Sequence, residues 1–324
     1  MKIYKNSITI KTSNTQHKNL SIEVPGTNTH YFDLEDFGET KGAQALYYGW
    51  AFLTNGTPPE LLRRQPHNSY LNVVSPTEFC GPYDISCDNS FDKIFSICPY
   101  TVEWLNKIKG TNKYKTIWYP FHRKYIPTNN KKKYDVCYHG GIHGTKYVEM
   151  LSILKNFNYR YMSMGHSINP LTQQSLSYAT NLDLSHTEKM ALISQCKISV
   201  CYNNFPVRGP QDISHIKEQP SWDQNSAFSH IESAGIIPQL KSRFIEASLS
   251  KTLNLVERDP WNVIEKWYNP GEHFVYFDGN KDLHAQISHI LENWNLFDKV
   301  VQNSYNHSLG RYTCDSLTDH ILSS

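Results

Sequence analysis

Two cations and one acid are spaced so that a single short helix could present them together. Lys241 and Arg243 precede Glu246 by about one helical turn, in a stretch that is otherwise mostly apolar (244–248). Arg243 can grip two phosphate oxygens at once, Lys241 can act as a mobile point charge, and Glu246 can accept both hydroxyls of a ribose. These residue types indicate a ligand with both phosphate and sugar hydroxyls, such as a nucleotide sugar. Solvated cations, and an ion pair within the helix for Glu246, are the alternatives.

A glycine-rich segment, HGGIHGTK (139–146), follows a predicted strand over 134–138. Gly140 and Gly141 would let backbone amides approach a ligand, and the next helix would point its positive N-terminus there. Lys146, in the first turn of that helix, would add a full charge for a diphosphate. The segment matches neither GxxxxGK[ST] nor GxGxxG, so a tight turn with a solvated lysine is the alternative.

The composition limits the kind of protein that could carry this site. The chain has 324 residues, of which 39% are hydrophobic, which is enough for two domains with full cores. Its net charge of +2 argues against a protein that coats nucleic acid, although local basic patches stay open. The sequence has no apolar run long enough to span a membrane and no signal-like apolar core near its start, so we expect a cytoplasmic protein.

Cysteine and histidine spacing gives no sign of a metal site. The seven cysteines form no CxxC pair, and the fifteen histidines form no HExxH motif. We therefore expect scattered reduced thiols, no structural metal and no cofactor.

From residue 134 onward, predicted strands alternate with predicted helices. Ser185 and Glu188 form a capping box that marks one helix start. Such alternation is typical of a parallel α/β sheet, whose ligand site lies at the carboxyl ends of the strands. The predicted strands are 134–138, 159–164, 198–202, 252–256 and 274–277, and the predicted helices are 146–157, 185–196, 241–250, 260–267 and 283–294.

The first 120 residues are less regular, and the segment 119–133 has the composition of a linker, with two prolines and a lysine run. We predict a buried helix over the apolar, aromatic segment 43–53 and another helix that begins at Pro99. Strands are predicted over 2–12, 20–24, 70–74, 93–97 and 117–119.

In its second half the chain resembles a known family. The stretch from about Tyr134 to Thr313 is similar to the donor-binding half of a GT-B glycosyltransferase of the group-1 and spore-maturation-protein type, including forms found in large viruses and marine bacteria. The order of elements carries the resemblance. It comprises Phe244-Ile245-Glu246-Ala247, then Leu253-Asn254-Leu255-Val256, then Pro260-x-x-Val263-Ile264-Glu265, and then Gly271 through Phe277-Asp278.

The resemblance implies an α/β protein of the GT-B fold, with two Rossmann-like domains facing a cleft and the N-terminal one reduced or irregular. It implies an acceptor-side domain over 1–125, a nucleotide-sugar-binding domain over 126–300, and a C-terminal helix within 301–324 that packs back on the first domain. The donor would be a UDP- or GDP-sugar, and the acceptor a hydroxyl on a glycan, a protein or a modified base. Transfer would be independent of metal.

Residue by residue, the resemblance assigns Glu246 to the ribose hydroxyls of the donor. It assigns Lys146, and less directly Lys241 or Arg243, to the diphosphate. The loop Glu257-Arg258-Asp259 to Asn262 would meet the phosphates or the sugar through its backbone amides.

One departure concerns the stereochemical outcome, because retaining members carry a second acid eight residues before Glu246 and this chain has Pro238 there. An inverting enzyme would instead need a general base from the N-terminal domain. Our candidates are Asp36, Glu39 and Glu78, and the same region also offers Asp33, Glu35, His30 and His67. A run of acids in a solvated loop is the alternative interpretation.

Three other functions stay open at this level. A sugar-nucleotide epimerase or hydrolase would share the fold and would need several carboxylates and histidines around the sugar. A non-catalytic nucleotide- or glycan-binding module would fit the missing second acid. Transfer onto modified DNA bases would require a basic acceptor groove.

Overall fold

The computed structural model describes residues 8–11, 44–47, 69–71, 93–96, 99–116, 118, 121, 123–142, 144–163, 181–182, 184–206, 235–313, 316 and 320. The chain divides into two compact units. The first comprises residues 1–122, 207–239 and 312–324, and the second comprises residues 123–206 and 240–311. The domain boundaries expected from the sequence stay a prediction.

The regular elements of the described residues are numbered in chain order. The strands are β1 Ile8–Lys11, β2 Gln44–Tyr47, β3 Ser69–Leu71, β4 Lys93–Ser96, β5 Tyr114–Thr116, β6 Tyr134–His139, β7 Tyr159–Ser163, β8 Asn181–Leu182, β9 Cys196–Cys201, β10 Asn204–Pro206, β11 Ile236–Pro238, β12 Leu253–Glu257 and β13 Val275–Phe277. The helices are α1 Pro99–Lys109, α2 Thr145–Leu154, α3 His186–Ser194, α4 Ser242–Leu249, α5 Asn280–Glu292 and α6 Asp298–Arg311. Short 3₁₀ turns lie at Arg123–Tyr125, Val263–Lys266 and Trp294–Leu296.

In the first unit, short parallel strands form two small sheets. Strand β1 pairs with β2, and β4 lies between β3 and β5. Helix α1 begins at Pro99 as predicted, and the side chain of Asn106 accepts from and donates to the backbone of Tyr114, at 3.0 and 2.9 Å. Two expectations are wrong: residues 44–47 of the predicted helix 43–53 form a strand, and the strand predicted over 117–119 lies at Tyr114–Thr116.

The error over 44–47 has a physical reason. A short apolar run cannot be assigned to helix or strand by periodicity alone, and here the parallel ladder with β1 supplies backbone hydrogen bonds that favour the strand. The strand predicted over 20–24 lies outside the described residues.

The second unit contains one six-stranded parallel sheet in the order β13-β12-β9-β6-β7-β8. If the six strands are numbered along the chain with β6 as strand 1, the order read from β8 to β13 is 3-2-1-4-5-6. This is the strand order of a Rossmann fold. The order reverses between β6 and β9, so the topological switch point lies between these two strands. The predicted parallel α/β domain is confirmed.

Helices cover this sheet and bury its apolar side chains. Helix α2 packs against α5, while α4 packs against both α3 and α6. The core between them is built from strand and helix residues that are fully buried, among them Val136, Leu151, Ile198, Leu255 and Ile287. Helix α6 is tied to α4 by a hydrogen bond of 2.9 Å between the hydroxyls of Ser304 and Ser248.

Two predicted helix boundaries need correction. Helix α3 does begin with the predicted capping box, but it ends at Ser194, and Cys196 already belongs to β9. The helix predicted over 260–267 is only a 3₁₀ turn, Val263–Lys266, because Asn262 takes a left-handed conformation with φ 48°. In the part of the chain that is described, no helix is both long and apolar enough to span a bilayer.

Candidate functional site

Polar side chains meet at the switch point of the six-stranded sheet. His139 is the last residue of β6, and Ser199 lies on the neighbouring strand β9. The Nε2 atom of His139 lies 3.1 Å from the Ser199 hydroxyl, and both side chains are buried. The carboxyl ends of these strands are where α/β sheets bind ligands.

Glu246 of α4 lies against this pair and has two partners. Its Oε2 lies 3.0 Å from Nδ1 of His139, and its Oε1 accepts a hydrogen bond of 2.7 Å from Nζ of Lys189 on α3. Burial alone would raise the pKa of Glu246, but Lys189 and the hydrogen bond from His139 outweigh burial and hold it well below its usual range. Glu246 is therefore a buried carboxylate that stays ionised.

The protonation of His139 follows from its surroundings. Burial lowers the pKa of His139 even though the neighbouring Glu246 raises it, so the imidazole is neutral near pH 7. An ionised Glu246 can only accept, so Nδ1 carries the ring proton and donates to it. Nε2 is then an acceptor, and the Ser199 hydroxyl donates to it.

Arg243 is a buried cation that has no carboxylate partner among the described residues. It is only 8% exposed, and within the described part of the chain its side-chain hydrogen bond goes to the hydroxyl of Tyr138, next to His139 at the end of β6. Burying an unpaired charge is costly, and a bound anion would remove that cost. A guanidinium in this setting is suited to phosphate oxygens.

Gly140 makes room for this guanidinium. A Cβ atom at Gly140 would lie 2.5 Å from Nη2 of Arg243, and the residue has φ +132°, which side chains rarely adopt. The glycine is thus required by the close approach of Arg243. The neighbouring Gly141 is exposed, and its carbonyl accepts a hydrogen bond of 2.9 Å from Tyr138.

Lys146 lies in the first turn of α2, as predicted, but a carboxylate already neutralises it. Its Nζ forms an ion pair with Glu257, the last residue of β12, and lies 5.3 Å from the ring centre of Tyr202. Glu257 is buried and also accepts a hydrogen bond of 3.1 Å from Asn204. The predicted contact of Lys146 with a diphosphate stays a prediction, and it would have to compete with Glu257.

The turn after β12 is organised by Asp259. Its buried carboxylate accepts hydrogen bonds from the backbone amides of Trp261, at 3.0 Å, and Val263, at 3.2 Å. Burial raises its pKa to about 6, although these two amides counteract burial. The Asp259 side chain thus holds the turn, and Asn262 supplies its left-handed residue.

Lys241 is the residue that precedes α4. Its backbone N–H donates a hydrogen bond of 3.1 Å to Oδ1 of Asn203, just beyond the end of β9. This bond ties the start of α4 to the carboxyl edge of the sheet.

The predicted site residues that the structure describes lie near two strand ends. Gly140, Arg243 and Glu246 lie around the end of β6, whereas Lys146 lies with Glu257 at the end of β12. The predicted catalytic residues Asp36, Glu39 and Glu78 lie outside the described residues, as do Asp33, Glu35, His30 and His67.

The sequence analysis missed four residues that complete these groups, Tyr138, His139, Lys189 and Ser199. It assigned Glu257 only to a loop that binds through backbone amides and missed the role of its carboxylate. A signal was available for Tyr138 and His139, which are polar residues where an apolar strand ends. The sequence around Lys189 and Ser199 gave no such signal. No group of three or more His, Cys, Asp or Glu side chains is arranged to hold a metal among the described residues.

Comparisons with known proteins agree with this geometry. Residues 180–323 match the family model described as glycosyl transferase-like. The structure is similar to HepE of Anabaena in complex with UDP-glucose, with a TM-score of 0.61 and 10% identity over 98% of each chain. It is also similar to the pneumococcal O-GlcNAc transferase GtfA in complex with UDP and GlcNAc, with a TM-score of 0.55 and 10% identity over 90% of this chain and 59% of that one.

The structure has the GT-B fold. The predicted fold class is therefore confirmed, and the family match over residues 180–323 supports the predicted enzyme class. A further GT-B likeness is to a glycosyltransferase from Rickettsia africae, with a TM-score of 0.54 and 12% identity over 98% of this chain and 88% of that one. Comparison with curated protein sequences finds no match.

Proposed function

We propose that this protein is a glycosyltransferase that moves a sugar from a UDP-sugar to a hydroxyl acceptor, and that the second unit binds the donor. The observation that carries the proposal is the buried Arg243 at the switch point of a Rossmann sheet, for which the described residues offer no carboxylate partner. A donor with a diphosphate supplies the missing negative charge at this place.

The donor's ribose and phosphates would then contact neighbouring residues. Glu246, one turn along α4 from Arg243, would accept the ribose hydroxyls, because each carboxylate oxygen keeps lone pairs beyond those used by Lys189 and His139. Gly140 and Gly141 would border the diphosphate, and Lys146 would reach it by leaving Glu257. The backbone of the Asp259–Asn262 turn would meet the phosphates or the sugar.

The choice of UDP rests on the similar structures. HepE is in complex with UDP-glucose and GtfA with UDP and GlcNAc. Both identities are near 10%, so these ligands support the proposal only through the shared fold.

Transfer would be independent of metal in this proposal. As the glycosidic bond breaks, negative charge develops on the leaving diphosphate, and Arg243, Lys146 and the N-terminus of α2 would stabilise it. The N-terminal part of the chain would bind the acceptor and supply a base for an inverting reaction, with Asp36, Glu39 and Glu78 as the candidates.

The test compares nucleotides and then measures turnover. UDP should raise the melting temperature more than GDP, ADP or CMP at equal concentration, because only a ligand of the native state stabilises it. UDP-glucose and UDP-GlcNAc should then release UDP in the presence of EDTA and a pool of glycan acceptors. Failure to bind any of the four nucleotides would overturn the proposal. Tight UDP binding without turnover on any acceptor would favour a binding module, and UDP-sugar breakdown that no acceptor accelerates would favour a hydrolase.

A further inference from the structure

Among the described residues around the end of β6, positive charge exceeds negative charge, and the excess is located on one residue. There the buried Arg243 and the partly buried Lys189 face the buried carboxylate of Glu246. Glu246 pairs with Lys189 and not with Arg243. The side chain of Lys189 is only 14% exposed, so this ion pair is largely shielded from water.

Pairing with Arg243 would be the obvious alternative for Glu246. The two residues lie three positions apart on α4, where side chains of a helix are neighbours. Arginine and carboxylate form the strongest charge-assisted hydrogen bonds in proteins, often two in parallel. If this pair formed, Arg243 would be neutralised from within the protein and would lose its attraction for phosphate.

Two other elements prevent this pairing by holding both oxygens of the carboxylate. His139, from the end of β6, binds Oε2, and Lys189, from α3, binds Oε1. The start of α3 is fixed by the capping box between Ser185 and Glu188, and the amide of Lys189 bonds the carbonyl of Ser185 at 2.9 Å. Lys189 therefore projects from a helix whose start is fixed.

We infer that Lys189 is a positioning residue of the donor site, which by pairing with Glu246 keeps that carboxylate off Arg243 and leaves the guanidinium available to the diphosphate. The inference rests on the proposed function, since it assigns the diphosphate to Arg243. It also assigns Lys189 no direct contact with the donor.

The test measures binding of inorganic pyrophosphate, which has no ribose, by calorimetry in EDTA. Lys189→Met should bind pyrophosphate at least about tenfold more weakly than the wild type, because Glu246 turns to Arg243. The double variant Lys189→Met, Glu246→Gln should recover to within about threefold of the wild type, and Lys189→Arg should behave as the wild type. A double variant that stays about tenfold weak would show that Lys189 binds the anion directly, which overturns the inference. Wild-type binding by Lys189→Met would also overturn it.

Two further measurements keep the outcome decisive. If Lys189→Met does not fold, the double variant still separates the two roles, because it removes both halves of the ion pair and adds no new buried unpaired charge. Nitrogen NMR of His139, which faces Glu246, Lys189 and Arg243, needs no ligand. Near pH 7 the wild-type ring should be neutral and donate its Nδ1 proton to Glu246. In Lys189→Met this proton should lose its carboxylate acceptor as Glu246 turns to Arg243, which shifts the Nδ1 resonance. An unchanged Nδ1 resonance would contradict the inference, whereas a wild type that binds neither UDP nor pyrophosphate would contradict the proposed function instead.

Discussion

Arg243 donates a hydrogen bond to the hydroxyl of Tyr138, and its guanidinium carbon lies 4.9 Å from the centre of the same ring. Burial raises the pKa of Tyr138 well above its usual range, although the charge of Arg243 opposes this shift. The phenol is therefore neutral, and Arg243 keeps its full charge inside the second unit. This contact orients the guanidinium without neutralising it, which is what an anion site requires.

Replacing Arg243 with glutamine should weaken UDP binding by about 10- to 100-fold, because a charge-assisted hydrogen bond to phosphate contributes about 1.5–3 kcal/mol. Affinity for uridine, which has no phosphate, should change little. Calorimetry with both ligands checks this. Tyr138→Phe is the matched control, since it keeps the ring beneath the guanidinium, and it should alter UDP affinity by less than about threefold. Equal UDP affinity in Arg243→Gln and the wild type would remove Arg243 from the site.

Gly140→Ala should impair both folding stability and UDP binding, because the new Cβ would lie 2.5 Å from Nη2 of Arg243. Gly144→Ala is the control: its φ is +112°, but nothing lies within 4 Å of a Cβ there. Both variants should lose about 1–3 kcal/mol of unfolding free energy through backbone strain. Only Gly140→Ala should also bind UDP more weakly, because its new Cβ displaces the guanidinium of Arg243. Similar UDP affinities in the two folded variants would argue against the proposed contact.

Asp259 should make the protein less stable as the pH rises from about 4 to about 6. Burial raises its pKa from 3.8 to about 6, so the folded state binds a proton that the unfolded state has already lost in this window. The stability that this proton contributes is complete below the unfolded pKa and is lost as the pH rises through the folded value. Asp259→Asn keeps an oxygen for the amides of Trp261 and Val263 but cannot titrate. Its unfolding free energy relative to the wild type should therefore grow by up to about 1.4 kcal/mol per pH unit across this window.

Urea denaturation of both proteins at several pH values measures this difference. A difference that stays constant between pH 4 and 6 would show that Asp259 titrates normally.

Lys146→Met should destabilise the protein by about 1–3 kcal/mol, because it leaves the buried Glu257 without its cation. This loss of stability is smaller than that expected for breaking a fully buried ion pair, because the side chain of Lys146 is 41% exposed. Glu257→Gln in the same protein should recover much of the loss, since it removes the unpaired charge and keeps an acceptor for Asn204. Denaturant midpoints of the two variants and the wild type measure the effect. A double variant no more stable than Lys146→Met would mean that the ion pair is not the cause.

Much of the second unit could be predicted from short-range sequence signals. Helix α4 was expected over 241–250 and lies at Ser242–Leu249, and the strand expected over 252–256 lies at Leu253–Glu257. The capping box at Ser185 was also predicted correctly. Such signals depend on residues within about four positions of each other, so the sequence alone carries them. The segment 44–47 shows the limit, since its strand depends on pairing with β1, far away in the chain.

The sequence by itself determined that Arg243 and Glu246 lie one helical turn apart, beyond a glycine-rich turn in a parallel α/β domain. The sequence did not determine the partner of Glu246 and suggested only an ion pair within the same helix. The tertiary structure decided that its partners are Lys189 and His139, from another helix and from a strand end, and that Glu257 already holds Lys146. The physical reason is that the carboxyl ends of the strands meet only when the sheet assembles. The strand order, which no local pattern encodes, then determines which charges are buried together.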